Sequence, residues 1–258
     1  MSTLYLERSS PLHRLNPVTK LVTVVSLIVV VFALPQWWAS VAVLVLVVVP
    51  VAALSGVGGR LAAICAVLLV PLILVLVVAQ GFFYPGGETI LFQLGPAQFS
   101  LEGLQLAIAV GARTSVLVAS TMVLLLTTHP GDLMTALTER GMPPKISYVI
   151  SSTLQIIPAF RTRAESILLA QRSRGLRTRG SILRRIKVLL PLVTPLVLGV
   201  FVDVEERSTA MEARAFGATG SRVSFSVIPD SRAQAVARWA VVIVSIGVIV
   251  VAFSGVLS

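Results

Sequence analysis

Charge is what this chain has least of. Asp, Glu, Lys and Arg together make up 12% of its 258 residues, and only 11 of them are acidic. Cysteine occurs once, at Cys65, inside an apolar run. A single thiol excludes an intrachain disulfide and a cysteine-built metal cluster, and leaves Cys65 as a small packing residue. The two histidines, His13 and His129, are isolated and read as structural, and no His/Cys/Asp/Glu set has metal-ligand spacing. There is no Gly-x-x-x-x-Gly-Lys-Ser/Thr segment, which excludes a Walker-type nucleotide site. Asp203, Glu205, Glu206 and Glu212 share a predicted helix without a histidine or nucleophile beside them. They are expected to pair with Arg207 or Arg214 or to face solvent. The sequence offers no catalytic constellation and no cofactor-binding residue.

What is present is apolar. Hydrophobic residues make up 56% of the chain and its mean hydropathy is +0.94, against about 45–50% apolar residues in soluble domains. The excess lies in long runs, so the chain reads as an integral membrane protein. Crossing the hydrocarbon takes about 20 apolar residues. Candidate spans are 21–32 (extended by Ala33 and Leu34), 37–54, 61–79, 104–127 and 236–257. Trp37 and Trp38 fit an interfacial belt, with Pro35 in the preceding turn. The first twenty residues are polar and no small-x-small site follows the apolar run from Leu21, so a cleavable signal is not expected.

Charge asymmetry orients these spans. Arg8, Arg14 and Lys20 precede the first, and Arg60 lies between the second and third. Segment 80–103 carries Glu88 and Glu102 and no Lys or Arg. The positive-inside rule places the N-terminus and Arg60 in the cytoplasm and 80–103 outside. Arg113 falls inside the fourth span, where an ionisable residue is a functional candidate. The plainer expectation is that it faces other helices and meets a backbone carbonyl or an acid.

Residues 128–235 differ, with 15 of the 21 Lys and Arg. The stretch "LLAQRSRGLRTRGSILRR", 168–185, holds six arginines, two of them directly before glycine. Upstream, Phe160, Ala164, Ile167 and Leu168 form one helical stripe, with Arg161, Arg163, Glu165 and Arg172 mostly off it. This predicts an amphipathic helix over 158–174 that stops at Gly175. Run 188–202 is apolar but covers roughly 22 Å as a helix, too short for an ordinary span. Pro191 and Pro195 are expected to kink it. Its polar continuation to "MEARAFGATG" places Arg214 in a final turn, with Gly217 or Gly220 as the stop. Two helices thus end in an exposed arginine beside a small residue. Few aromatics interleave the basic residues, which argues against nucleic acid. Basic residues 177–187 suit a lipid surface, and an arginine at a helix tip suits an acidic protein groove.

With these residues in view, the chain resembles the transmembrane T component of energy-coupling factor (ECF) importers of vitamins and metals. "SPLHRLNPVTKL" (10–21) and "TTHPGDLMTALTERGMP" (127–143) are similar to the family's segments before the first span and after the fourth. "AQRSRG" (170–175) and "AMEARAFG" (210–217) resemble its two Ala-Arg-Gly signatures. The resemblance runs nearly end to end. It implies an all-α polytopic membrane protein with about five transmembrane helices and two or three long cytoplasmic coupling helices. It also implies that Ser173, Arg174, Gly175 and Ala213, Arg214, Ala215 dock onto two ABC-type ATPase subunits, which bind the ATP and Mg. A small membrane-embedded S component, gripped by the same helices, binds the substrate. Arg179, followed by Gly180, together with Arg184 and Arg185, adds docking or lipid contact.

Three departures stand out: Ser173 opens the first triplet, a mild change; Ala215 occupies the second signature's glycine position; and Gln155 stands where the family has arginine before Ile-Pro. The expected organisation is a membrane domain at 1–127, a coupling-helix domain at 128–235 and a final span at 236–258. The alternatives are an ordinary ABC importer permease, whose coupling loop residues 212–229 loosely resemble, and a secondary transporter that needs no ATPase.

Overall fold

The computed structural model describes residues 12, 15–34, 36–56, 58–85, 89–94, 97–175, 182–216 and 229–254. They form an all-α protein with one small hairpin. Helix α1 is Pro17–Ala33; α2 (Trp37–Val43), a π-helical turn (Leu44–Val48) and α3 (Val49–Leu54) follow one another without a break. Then come α4 (Gly58–Phe83), strands β1 (Ile90–Leu94) and β2 (Ala97–Ser100), and α5 (Leu101–Thr127). The remaining helices are α6 (Pro130–Thr138), α7 (Pro144–Ser173), α8 (Ile182–Ala213) and α9 (Arg232–Phe253). Trp37–Leu54, α4, α5 and α9 are long and apolar enough to cross a membrane, and α1 is shorter. The π turn has a local cause: Pro50 lacks an N–H and its ring crowds the carbonyl one turn back, which the wider turn accommodates.

The chain divides into two compact units, Met1–Ala136 with Ile228–Ser258, and Leu137–Val227. In the first, α4 packs along α5, α1 along α9, and α1 and α2 also lie against α5. Helix α5 takes the centre because of its residues. Gly103, Ala107, Gly111, Ser115 and Ala119 recur every fourth position, and all are buried. Such a ridge lets neighbouring backbones come close, the main source of helix association where lipid is as apolar as the side chains. Buried hydroxyls are satisfied within the helix, Ser115 on the Gly111 carbonyl (2.7 Å) and Thr127 on that of Val123 (2.7 Å). By contrast α4 and α9 present Val67, Val70, Leu74, Trp239, Ile243 and Val250 outward, as lipid-facing surfaces do. The predicted loop 80–103 holds more structure than expected. Helix α4 runs on to Phe83, β1 and β2 pair antiparallel, and Phe92 stacks on Phe99 at 4.8 Å between centroids.

Polar side chains tie the ends of these helices together. Lys20 Nζ donates to the Thr127 carbonyl at the end of α5 (2.8 Å). Arg113 Nη2 donates to the Leu34 carbonyl at the end of α1 (2.8 Å). A cation at a helix C-terminus also meets the negative end of its dipole. These two contacts make α1 and α5 antiparallel and put Arg113 level with the turn that precedes Trp37 and Trp38. Arg113 lies midway along α5 and meets a backbone carbonyl of a neighbouring helix end, as the plainer expectation had it. Arg113→Ala leaves that carbonyl without its charged donor. It should cost about 2 kcal/mol, seen as a lower melting temperature in detergent with little change in helix content.

At the other end of α1, Asn16 accepts from the Val18 N–H (3.0 Å), and its own N–H donates to Gln234 Oε1 (2.9 Å). Arg238 makes two bonds to Asp230 (2.9 and 2.8 Å) and one to Thr19 Oγ1 (2.9 Å). The start of the first helix is thereby fastened to the last.

In the second unit α7 and α8 pack on each other. Helix α7 is almost twice as long as the stripe at 158–174 predicts, because Pro158 lies inside it rather than at its start. Helix α8 likewise runs through Pro191 and Pro195 without a break. Proline removes a hydrogen bond but does not end a helix whose flanking turns hold it.

Candidate functional site

The two long helices end alike. At the end of α7, Arg174 is the last residue before the chain leaves the helix, and its N–H still donates to the Ala170 and Gln171 carbonyls (3.2 Å each). Gly175 follows with φ +90° and donates to the Arg172 carbonyl (2.9 Å). At the end of α8, Arg214 holds the same position and Ala215 follows with φ +53°. The Ala215 N–H donates to the Glu212 carbonyl (2.9 Å) and the Phe216 N–H to that of Met211 (2.9 Å). This pair of bonds is a Schellman cap, which needs a left-handed residue after the capping position. The stop of α8 is therefore Ala215, not Gly217 or Gly220. Those glycines come too late, because the first left-handed residue already ends the helix.

Glycine adopts the left-handed conformation freely, whereas alanine pays about 1 kcal/mol or more. No heavy atom lies within 4 Å of where a Cβ on Gly175 would stand, so conformation rather than space calls for glycine there. Ala215→Gly should firm the end of α8, slowing amide exchange across residues 211–216 by about fivefold. Faster exchange in the variant would contradict the strain argument.

A third helix end has the same geometry, and the sequence reading did not single it out. Arg140 follows α6, Gly141 has φ +99°, and the Gly141 and Met142 N–H groups donate to the Thr138 and Leu137 carbonyls (3.1 Å each). The signal was present as Arg-Gly shortly before Pro143 and Pro144, a helix stop followed by proline.

Side chains on α7 and α8 show how these ends are held. Tyr148, near the start of α7, packs on Phe216 at 5.3 Å between ring centroids. Ile156, Ala159, Phe160 and Arg163 face Val200, Asp203, Val204 and Arg207. The helices are therefore antiparallel, with Arg174 and Arg214 toward opposite ends of the pair. Both arginines are exposed, as are Gly175, Ala213 and Ala215. Ser173 donates its hydroxyl to the Leu169 carbonyl (3.2 Å). Arg179 lies outside the described residues. Arg184 and Arg185 belong to α8, and their side chains lie outside the description.

The hydrogen-bonded partner of Asp203 is Arg163 rather than Arg207 or Arg214, with the Arg207 charge acting nearby. Asp203 takes two hydrogen bonds from Arg163, Nη1 to Oδ2 at 2.8 Å and Nη2 to Oδ1 at 3.1 Å. Those hydrogen bonds hold the Asp203 carboxyl below the usual carboxylate range. Periodicity set Arg163 off the apolar stripe, yet it lies on the face that meets α8, because the contact combines apolar packing with a charged pair. Much apolar surface remains uncovered in this unit, including Val149, Ile157 and Leu169 of α7 and Val197, Leu198 and Phe201 of α8. No residue of α7 is buried.

Residues 8–225 match the CbiQ family, described as cobalt transport protein. The chain is 31% identical over 234 residues to the energy-coupling factor transporter transmembrane protein EcfT of Listeria innocua, covering 87% of each chain. It is 30% identical over 239 residues to the protein of that name from Leuconostoc gelidum, covering 89% of this chain and 88% of the other. It is 32% identical over 229 residues to that of Heliobacterium modesticaldum, covering 82% of each. With four helical stretches able to cross a membrane among the described residues and a family match over most of its length, the chain belongs to the CbiQ/EcfT family, the multi-pass transmembrane T components of energy-coupling factor transporters.

Proposed function

We propose that this chain is the transmembrane scaffold of an ATP-driven importer for a vitamin or a transition-metal ion. It joins two ABC-type ATPase subunits, which bind ATP and Mg, to a small membrane-embedded S component that binds the substrate. The ends of α7 and α8 are the ATPase docking sites: Ser173, Arg174 and Gly175 on one, Ala213, Arg214 and Ala215 on the other. The observation that carries this reading is the shared ending. Two long helices each present an exposed arginine at a capped tip, and the tips point toward opposite ends of an antiparallel pair. A guanidinium so placed can enter an acidic groove and make paired hydrogen bonds to a carboxylate. Two separated tips suit two partner subunits. The uncovered apolar side chains of α7 and α8 suit a grip on another membrane protein. By the positive-inside rule, the N-terminus and α6 to α8 face the cytoplasm, where ATP is available.

The test is affinity purification of the tagged chain from its host in mild detergent, with mass spectrometry of the eluate. Two ATP-binding subunits and a small membrane protein are expected in stable ratio. An eluate free of ATPases under several gentle conditions, together with uptake by the chain alone in liposomes without ATP, would replace this reading with an ATP-independent transporter.

A further inference from the structure

We propose that Arg163, Asp203 and Gly199 fasten α7 and α8 into a two-armed lever, and that they are positioning residues for energy coupling. The three residues form one fitted contact. The two hydrogen bonds between the Arg163 guanidinium and the Asp203 carboxylate, at 2.8 and 3.1 Å, set both separation and angle. Gly199 lies one turn before Asp203 on the same face of α8. A Cβ there would stand 2.8 Å from Arg163 Nη1 and 3.4 Å from Cζ, so the missing side chain is the space the guanidinium occupies.

Stability does not account for this pair. Its side chains keep 41% and 43% of their exposure, and ion pairs that wet add little to folding. Orientation is what it can supply. Beside it lie the apolar side chains of Ile156, Ala159, Phe160, Val200 and Val204, with Arg207 at their edge, and apolar packing is non-directional. Such surfaces slide and rotate on one another unless something directional holds them.

Position supplies the link to coupling. Arg163 is eleven residues before Arg174, and Asp203 is eleven residues before Arg214. Each tip thus stands roughly 16 Å from the fastening along its own helix. Arms of equal length about one fixed crossing convert a displacement of either tip into rotation of the whole pair. Without the crossing, a displaced tip moves its own helix alone. The consequence for transport rests on the function proposed above; the fastening itself does not.

Two measurements separate these levels. The first uses the full-length chain in nanodiscs, in a Cys65→Ser background, with spin labels at Gln171→Cys and Thr209→Cys, positions about 20 Å apart by helix length. Electron–electron distance distributions are expected to be narrow, to broaden in Arg163→Ala and Gly199→Leu, and to narrow again in the exchanged pair Arg163→Asp/Asp203→Arg. A distribution as narrow in Arg163→Ala as in the parent overturns the fastening.

The second uses the purified complex reconstituted in liposomes. Arg163→Ala is expected to retain the ATPases and their hydrolysis, while uptake per ATP falls about tenfold or more and recovers to within about threefold in the exchanged pair. Unchanged uptake per ATP in Arg163→Ala, or an exchanged pair that restores the distance without restoring uptake, overturns the coupling role. If the parent chain brings down no ATPase, the proposed function fails while the distance result still decides the fastening.

Discussion

Reversing both tip charges at once, with Arg174→Glu and Arg214→Glu in one chain, is expected to release the ATPases and abolish ATP-driven uptake. Breaking a buried, hydrogen-bonded charge pair at an interface costs about 2–5 kcal/mol. Glutamate goes further than truncation, since it sets like charge against an acidic groove and places an anion at a helix C-terminus. Two such losses weaken association by about a thousandfold or more. Each single variant keeps one contact and benefits from the tether the other tip supplies, so its loss is expected to be partial. Uptake in membrane vesicles and ATPase recovery in pull-downs measure both effects. Because the substitutions lie on exposed helix ends, the variant should elute in detergent like the parent. ATPases retained at full ratio by the double variant would move the docking to other arginines, with Arg179 and Arg140 the first to reverse.

Gly103→Leu is expected to remove folded protein altogether. A Cβ on Gly103 would stand 2.2 Å from the Gln80 carbonyl oxygen, 2.8 Å from Ser100 Oγ and 2.9 Å from Tyr84 Cβ. The first neighbour is backbone of α4 and cannot turn aside, so α4 and α5, the most extensively packed pair of helices described, must part there. Gly103 also donates its N–H to Ser100 Oγ at the start of α5 (3.2 Å), so the cap is disturbed as well. Overpacking a core against side chains costs about 1–3 kcal/mol, and a backbone collision exceeds that. Gly247→Ala is the control, because nothing lies within 4 Å of its Cβ position and α9 is helical there. Fluorescence-detected size exclusion should show a monodisperse peak for Gly247→Ala and none for Gly103→Leu. Equal peaks would mean that α4 and α5 do not approach as closely as described.

Much of this architecture was legible because hydrophobic runs report membrane helices directly. The predicted span 37–54 coincides with Trp37–Leu54, and 104–127 falls within α5. The stop at Gly175 was legible too, because a glycine after a periodic helix has few other uses. Prolines were a poorer guide: Pro158 reads as a start, yet α7 runs through it, and α8 runs on through Pro191 and Pro195. Their neighbours' hydrogen bonds carry the helix across each gap, and no local signal records that.

Within the site, the sequence by itself determined composition: which spans are apolar, where the basic residues gather, and that two helices carry Arg174 and Arg214 in their last turns. Only the tertiary structure decided which residues meet. Arg163 and Asp203 are forty positions apart; the first reads as lying off the apolar stripe, the second as a partner of Arg207 or Arg214 or a solvent-facing acid. Arg113 sits in an apolar run, and nothing local points to the Leu34 carbonyl it meets. Ala215 reads as alanine in a glycine's place, and only its φ of +53° shows that it holds a glycine's conformation. The division has one physical reason. Transfer from water to lipid depends on each residue's own chemistry and sums along the chain. Hydrogen bonds, caps and close backbone approach depend on partners that only the folded chain brings within about 3 Å.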